Sequence, residues 1–210
     1  RYSLSFVGRY NGYIANNKIG ISMKVLHIDS SILGAASVSR QLSHALVEQL
    51  KVKHAAIEVE YLDLNETNIP HLTGAILMGQ DAEQTALGEQ LISQYLAADI
   101  VVIGASMYNF GLSSNLKAWI DRISVAGRTF KYTENGPVGL AGNKTAYILS
   151  SRGGVYGDNS PMDFQEGLLK AVFNFTGVSD VTVIRAEGVN MGDDVKTQAI
   201  NVALAKIAQI

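Results

Sequence analysis

Cysteine is absent from the 210-residue chain. Its absence excludes disulfides, thiolate catalysis and thiolate-ligated metals, and fits a reducing compartment such as the cytoplasm. Neither sign of charge is in excess: 17 Lys and Arg stand against 19 Asp and Glu, a formal charge of −2. So balanced a surface points neither to nucleic acid nor to an acidic membrane as partner. Long apolar runs are also missing. The longest near-continuous one, Ile100 to Ala105, is far shorter than the roughly 20 residues that span a bilayer. No Gly-x-Gly pair occurs, which removes the usual pyrophosphate fingerprint of dinucleotide-binding folds. Nor is there a Gly-x-x-x-x-Gly-Lys-Ser/Thr stretch for a nucleoside triphosphate. The histidines, His27, His44, His54 and His71, all fall in the first third of the chain. Thiol and metal-hydrolase chemistry are thus poorly supplied, and no metal is expected.

The 47% hydrophobic content supports one sizeable core in a chain of single-domain length. Residues 1–22 differ from the rest. They carry three tyrosines, three asparagines and three glycines without period, and they lack the apolar core of a signal peptide. We read them as a non-native or disordered leader, with the domain covering residues 23–210; a packed N-terminal arm is the alternative.

From Met23 onward strand and helix patterns alternate. Short, mostly β-branched runs at Val25–Ile28, Ile57–Leu62, Ile100–Ile103, Ala146–Leu149 and Val181–Ile184 predict five strands of a parallel sheet buried on both faces. Apolar residues recurring at three and four positions predict helices near Val38–Lys51, Ala82–Leu96, Ser113–Ile123, Asp163–Phe175 and Asp193–Ile207. The fold class is a doubly wound α/β sandwich, for which the flavodoxin-like strand order 2-1-3-4-5 is the simplest choice. Ligands in such sheets bind at the strand C-termini, at the switch point between strands 1 and 3.

The loops expected to meet there carry ligand-type residues. After strand 1, Ser30-Ser31-Ile32-Leu33-Gly34-Ala35-Ala36-Ser37-Val38-Ser39 leads into a helix. Its free first-turn N–H groups and the hydroxyls of Ser31, Ser37 and Ser39 suit a single phosphate, although Ser37 or Ser39 alone reads equally well as a helix cap. After strand 3 comes Ala105-Ser106-Met107-Tyr108-Asn109-Phe110-Gly111, and after strand 4 Ser150-Ser151-Arg152-Gly153-Gly154-Val155-Tyr156-Gly157. Apolar and aromatic surface beside one amide suits a flat heteroaromatic ring, and Gly153-Gly154 lets a backbone approach its edge. Tight turns with core-facing aromatics are the plainer alternative for either loop.

Four segments in order, Ser-Ser-Ile-Leu-x-x-x-Ser-x-Ser, Met107-Tyr108-Asn109-Phe110, Phe130-Lys131-Tyr132-Thr133-Glu134-Asn135-Gly136-Pro137 and Ser151-Arg152-Gly153-Gly154, give a chain that resembles the bacterial FMN-dependent NADH-azoreductase and quinone oxidoreductase family. The resemblance covers Met23 to Ile210. It implies an FMN phosphate loop at Ser31 and Ser37-Val38-Ser39. It further implies that Met107, Tyr108, Asn109, Phe110, Ser151, Arg152, Gly153 and Gly154 hold the rest of the flavin. Phe130 matches an aromatic on the flavin's substrate side, taken as coming from the same subunit. Phe175 matches one contributed by the partner of a homodimer, with Phe173 as a nearby competitor. Tyr156 stands where some members carry histidine and is a candidate proton donor. The implied activity is two-electron, ping-pong reduction of quinones and azo compounds by NADH or NADPH, with the flavin carrying the chemistry and no side chain as obligatory catalyst. A flavodoxin-type electron carrier is the alternative, although it would be expected to show an acidic face. A phosphodiesterase-type hydrolase is weaker still, since Ser106 lacks the second glycine of a nucleophile elbow.

Overall fold

The computed structural model describes residues 22–210, so the expectation for the leader lies outside the described residues apart from Ser22. Five parallel strands, β1 (Met23–Asp29), β2 (Ile57–Asp63), β3 (Ile100–Ser106), β6 (Thr145–Arg152) and β7 (Asp180–Glu187), pair in the order β2-β1-β3-β6-β7. Counted within the sheet this is 2-1-3-4-5, the order expected. Two short strands intervene. β4 (Phe130–Thr133) and β5 (Gly136–Gly139) form an antiparallel hairpin outside the sheet, within the segment that resembles the family but was not read as strand.

The helices are α1 (Val38–Lys53), the one-turn α2 (Gly74–Leu77), α3 (Ala82–Ala97), α4 (Ser114–Ile123), α5 (Phe164–Thr176) and α6 (Asp193–Ile207). Side-chain caps set several starts. Ser37 accepts from the Arg40 N–H, Asp81 from Gln84, and Asp163 from both Gln165 and Glu166, satisfying first-turn donors that have no partner within the helix. At the far end of α5, Gly177 adopts φ +97°, a left-handed cap open to glycine. Gly139 of the hairpin packs directly on it, and a Cβ on Gly139 would lie 2.1 Å from the Gly177 nitrogen.

Strand alternation divides the core in two. Leu26, Ile28, Val101, Ile103 and Ile148 face α3, α4 and α5, meeting Leu91, Tyr95, Trp119 and Phe173. Val25, Val102 and Leu149 face α1 and α6, meeting Leu42, Leu46, Leu50, Ala203 and Ile207. Every residue of central β3 is buried, while edge strand β2 alternates, as a doubly covered sheet requires. Among the described residues no helix is long and apolar enough to cross a membrane.

One ionic cluster ties the C-terminal end of β6 to its neighbours. Arg152 is fully buried, and its guanidinium pairs with Asp163 at 2.8 Å, with Glu166, and with Glu187 at 3.4 Å. Arg185 also holds Glu166, at 2.8 Å through Nη2. Burial works to raise the Glu166 pKa, but Arg185 and Arg152 outweigh it and hold the carboxyl below its usual range. Glu187 in turn accepts the N–H groups of Tyr156 and Gly157, so the cluster shapes the loop after β6. Removing one partner of a buried ion set leaves uncompensated charge, and Arg152→Met should destabilise the protein by about 3–5 kcal/mol in urea unfolding. A loss below about 1 kcal/mol would show that Arg185 alone satisfies these carboxylates.

Candidate active site

The C-terminal ends of β1, β3 and β6 open into a crevice of about 390 Å³ lined by Leu33, Ala36, Ser37, Val38, Ser106, Met107, Tyr108, Ser151, Gly153, Val189, Asn190 and Lys196. Its floor is a chain of hydroxyls. Ser37 Oγ lies 3.1 Å from Ser39 Oγ, Ser39 Oγ 3.0 Å from Ser106 Oγ, and Ser106 Oγ 3.1 Å from Ser151 Oγ. The parallel pairing sets Ser106 beside Ser151, and the first turn of α1 lowers Ser39 onto them. All four serines are buried, and each hydroxyl can donate once and accept twice.

The loop after β1 closes one side. Ser30 Oγ donates to the Gly104 carbonyl at 2.8 Å. Ser31 Oγ lies 3.1 Å from the Tyr108 phenol, which also accepts the Ile32 N–H at 3.2 Å. Tyr108 and Gly111 exchange two backbone hydrogen bonds around Asn109 and Phe110, whose φ angles are +47° and +69°. This is a tight primed-type turn in which Phe110 takes a backbone conformation that L side chains rarely adopt. Phe110 is 41% exposed and meets the Tyr156 ring edge to face at 6.3 Å. On the opposite wall Gly153 touches the loop after β7: Asn190 N–H donates to its carbonyl, and a Cβ there would lie 2.8 Å from Asn190 Nδ2.

Of the residues expected at the site, Ser37, Val38, Met107, Tyr108, Ser151 and Gly153 line the crevice. Ser31 and Ser39 lie against it through hydrogen bonds, while Asn109, Phe110 and Tyr156 form its rim, and the Gly154 carbonyl accepts the Gly188 N–H beside it. Arg152 requires correction. Its guanidinium is engaged by the carboxylate cluster and sits 6.0 Å over the Tyr156 ring, so it positions the loop and does not face the crevice.

Phe130 requires a second correction. Ala141 N–H donates to the Thr176 carbonyl, and the Lys144 ammonium donates to the carbonyls of Leu96 and Ala98. The hairpin therefore returns near the foot of the sheet, and seven-residue β3 separates foot from crevice by about 20 Å. Phe130 lines a different cavity with Ile76, Leu77, Gln84, Ile92 and Tyr132, so it does not wall the crevice of its own chain. Phe175, half-buried, packs on Phe130 with ring centroids 4.2 Å apart, whereas Phe173 belongs to the core. Sequence reasoning missed Asn190 and Lys196 because only the loops after strands 1, 3 and 4 were expected to converge.

Residues 23–210 match the family described as Flavodoxin-like fold. The FMN-dependent NADH:quinone oxidoreductase of Stenotrophomonas maltophilia (strain K279a) is 53% identical over 185 residues, 88% of this chain and 94% of that protein. The protein of the same name from Chromobacterium violaceum is 48% identical over 200 residues, 90% of this chain and 99% of that one. Among solved structures, the azoreductase from Bacillus anthracis str. Sterne superposes with a TM-score of 0.81 at 29% identity, covering 89% of this chain and 97% of that one. The FMN-dependent NADH-azoreductase from Bacillus anthracis str. Ames Ancestor, in complex with FMN, gives 0.80 at 26% identity, covering 89% and 96%. With the five-stranded order, the crevice at the switch point and these likenesses over nearly its whole described length, the chain belongs to the flavodoxin-like fold family.

Proposed function

We propose that the chain binds FMN in this crevice and is an FMN-dependent NAD(P)H oxidoreductase that reduces quinones and azo compounds. The carrying observation is the crevice itself, whose two ends differ in chemistry. At one end the first-turn N–H groups of α1 lack intrahelical acceptors, the helix dipole favours an anion, and Ser37 lies beside them. Lys196 lines the same cavity and supplies the cation that the loop after β1 lacks. At the other end Met107, Tyr108, Gly153 and Asn190 offer apolar surface, a phenol and an amide to a flat ring. The volume lies within the roughly 300–1,000 Å³ of small-molecule pockets. Relatives at 53% and 48% identity are named FMN-dependent NADH:quinone oxidoreductases.

Bound there, FMN would supply the two-electron chemistry, hydride uptake from a nicotinamide donor and delivery to the acceptor. The chain's residues bind and orient. The Tyr108 phenol holds Ser31 and Ile32 in place, the serine floor fixes the α1 turn, and Arg152 sets the loop carrying Gly153 and Gly154. Tyr156, half-buried against Phe110, stands at the rim as the candidate proton donor. A single open face would serve donor and acceptor in turn, as ping-pong exchange requires.

The substrate side is completed by a second copy of the chain. Ile32, Leu33, Val155, Met162 and Met191 on loops and Phe164 at the start of α5 lie exposed, an apolar rim of the kind that marks an interface. Tyr132, Val138 and Leu140 are exposed on and beside the hairpin, next to the Phe130–Phe175 pair. A homodimer that lays the hairpin patch of one copy over the rim of the other buries both, and brings Phe130 and Phe175 to the partner's crevice.

Heat-released flavin should chromatograph as FMN, and FAD would refute the one-phosphate reading. Joint Ser37→Ala and Ser39→Ala substitution should weaken FMN by about 3–6 kcal/mol at most, from two charge-assisted hydrogen bonds; unchanged affinity rejects their phosphate role. For the dimer, Phe175→Ala should raise the KM for flat acceptors while FMN stays bound. Mixing Phe175→Ala subunits with crevice-blocked Gly153→Trp subunits should restore part of the activity, because one site of each mixed dimer is intact. No recovery after confirmed subunit exchange counts against a shared site. Since the sheet, the crevice and the family match all begin at or after Met23, a chain starting there should keep its melting temperature and quinone reduction. A large loss of either would make residues 1–22 part of the domain.

A further inference from the structure

Behind the loop after β1 lies a second polar cluster that the flavin reading does not use. His27 and Asp29 project from the same face of β1, and His44 descends on them from α1. His27 Nε2 lies 3.5 Å from Asp29 Oδ1, and His44 Nε2 lies 3.4 Å from Asp29 Oδ2. One ligand atom from each of the three residues falls within 4.8 Å of the others. Among the described residues, His27 Nε2 is buried with no hydrogen-bond partner. A buried polar atom without a partner carries a desolvation cost of about 1–3 kcal/mol, so it calls for an explanation.

We propose that His27, Asp29 and His44 form a site for a divalent transition-metal ion, zinc above all, with an open fourth position. Two imidazoles and a carboxylate are a borderline-soft ligand set suited to zinc. Metal–ligand bonds of about 2.0–2.2 Å at tetrahedral angles put neighbouring ligand atoms about 3.3–3.6 Å apart; each imidazole nitrogen stands at that distance from one of the two Asp29 oxygens, His27 from Oδ1 and His44 from Oδ2. A metal at this point gives His27 Nε2 its missing partner. The carboxylate is already oriented: Ser43 Oγ donates to Asp29 Oδ1 at 2.6 Å, and the Tyr61 phenol donates to Oδ2 at 3.0 Å. These two bonds leave about two of its four acceptor positions, and such outer hydrogen bonds are what hold metal-ligating carboxylates in place.

The surrounding charge permits a cation. Arg40 Nε lies 3.9 Å from Asp29 Oδ2, but its Nη1 is paired with Asp63 at 2.5 Å and with the Tyr61 oxygen at 2.8 Å. Two carboxylates against one guanidinium leave a net −1 beside the two imidazoles. Entry is from the helix side, because the His44 side chain is 54% exposed while His27 and Asp29 are sealed. The site is independent of the flavin: it uses none of the crevice residues, and the two readings stand or fall separately.

The test is calorimetric titration of the tag-free full chain with zinc. One saturable zinc per chain is expected. His44→Ala and His27→Gln should each weaken it at least about tenfold, as loss of a ligand demands, while His71→Ala, outside the cluster, leaves it unchanged. Because His44 is exposed, its variant should stay folded by circular dichroism, and zinc should raise the melting temperature of the wild type but not of His44→Ala. Absence of saturable binding, or wild-type affinity in His44→Ala, overturns the site and leaves two imidazoles packed beside a buried carboxylate. Loss of binding in His71→Ala instead would assign the zinc to the surface.

Discussion

A guanidinium with no access to water sets the shape of half the crevice. Burying Arg152 is unfavourable unless its donors are met by carboxylates, and no single segment supplies enough of them. Asp163 comes from the cap of α5, Glu166 from its first turn, and Glu187 from the end of β7. Satisfying the charge therefore pulls two elements, α5 and β7, onto the last residue of β6. The geometry passes outward from there: Glu187 takes the Tyr156 and Gly157 N–H groups, and the Val189 N–H reaches the Arg152 carbonyl. The loops after β6 and β7 are thus fixed against each other, and Gly153 meets Asn190 across them.

The serine floor solves a different problem at the same place. Strand ends beneath a ligand cannot be closed by large apolar side chains without filling the crevice, yet buried polar groups must be paired. Hydroxyls meet both demands, since each is small and can rotate to donate or accept. The Ser37–Ser39–Ser106–Ser151 chain joins α1, β3 and β6, the elements that flank the switch point. It leaves the N-terminus of α1 facing the cavity with no acidic side chain in its first turn, a preorganised anion site in a cavity that Lys196 also lines.

What could be read from the sequence follows the range over which its signals act. Strands buried on both faces announce themselves as β-branched runs, so β1, β3 and β6 were legible at once, and the topology followed from their alternation with helices. The β4–β5 hairpin was not, because four-residue strands with Pro137 and two glycines, Gly136 and Gly139, carry little strand pattern; only Asn135-Gly136 signals the turn. Arg152 was misread because its neighbours in sequence are crevice residues, while its true partners lie 11, 14 and 35 positions away. Phe130 was misplaced for a different reason. A motif can say that an aromatic accompanies a site but not where in the fold its side chain lies. Asn190 sits in the loop after β7, and Lys196 in the first turn of α6 that follows it; the loop's approach to the crevice depends on backbone bonds to Arg152, Gly153 and Gly154, which no local pattern encodes.

The turn at Asn109 and Phe110 shows how the fold carries a cost that a lone subunit does not recover. Holding a non-glycine residue at positive φ costs of order 1–2 kcal/mol, and a tight primed turn would be met more cheaply by glycine. The Tyr108–Gly111 bridge and the Phe164 N–H on the Phe110 carbonyl enforce it. The result is an aromatic ring held out in water, among other exposed apolar side chains on the same rim. Apolar surface contributes roughly 25 cal/mol per Å² only once it leaves water, so neither the strain nor the exposure is offset within one subunit. A flat ligand in the crevice and a second copy over the rim would each withdraw that surface from solvent. The same turn that strains the backbone would then stabilise the assembled site, and the compensation would lie in the complex and not in the isolated fold.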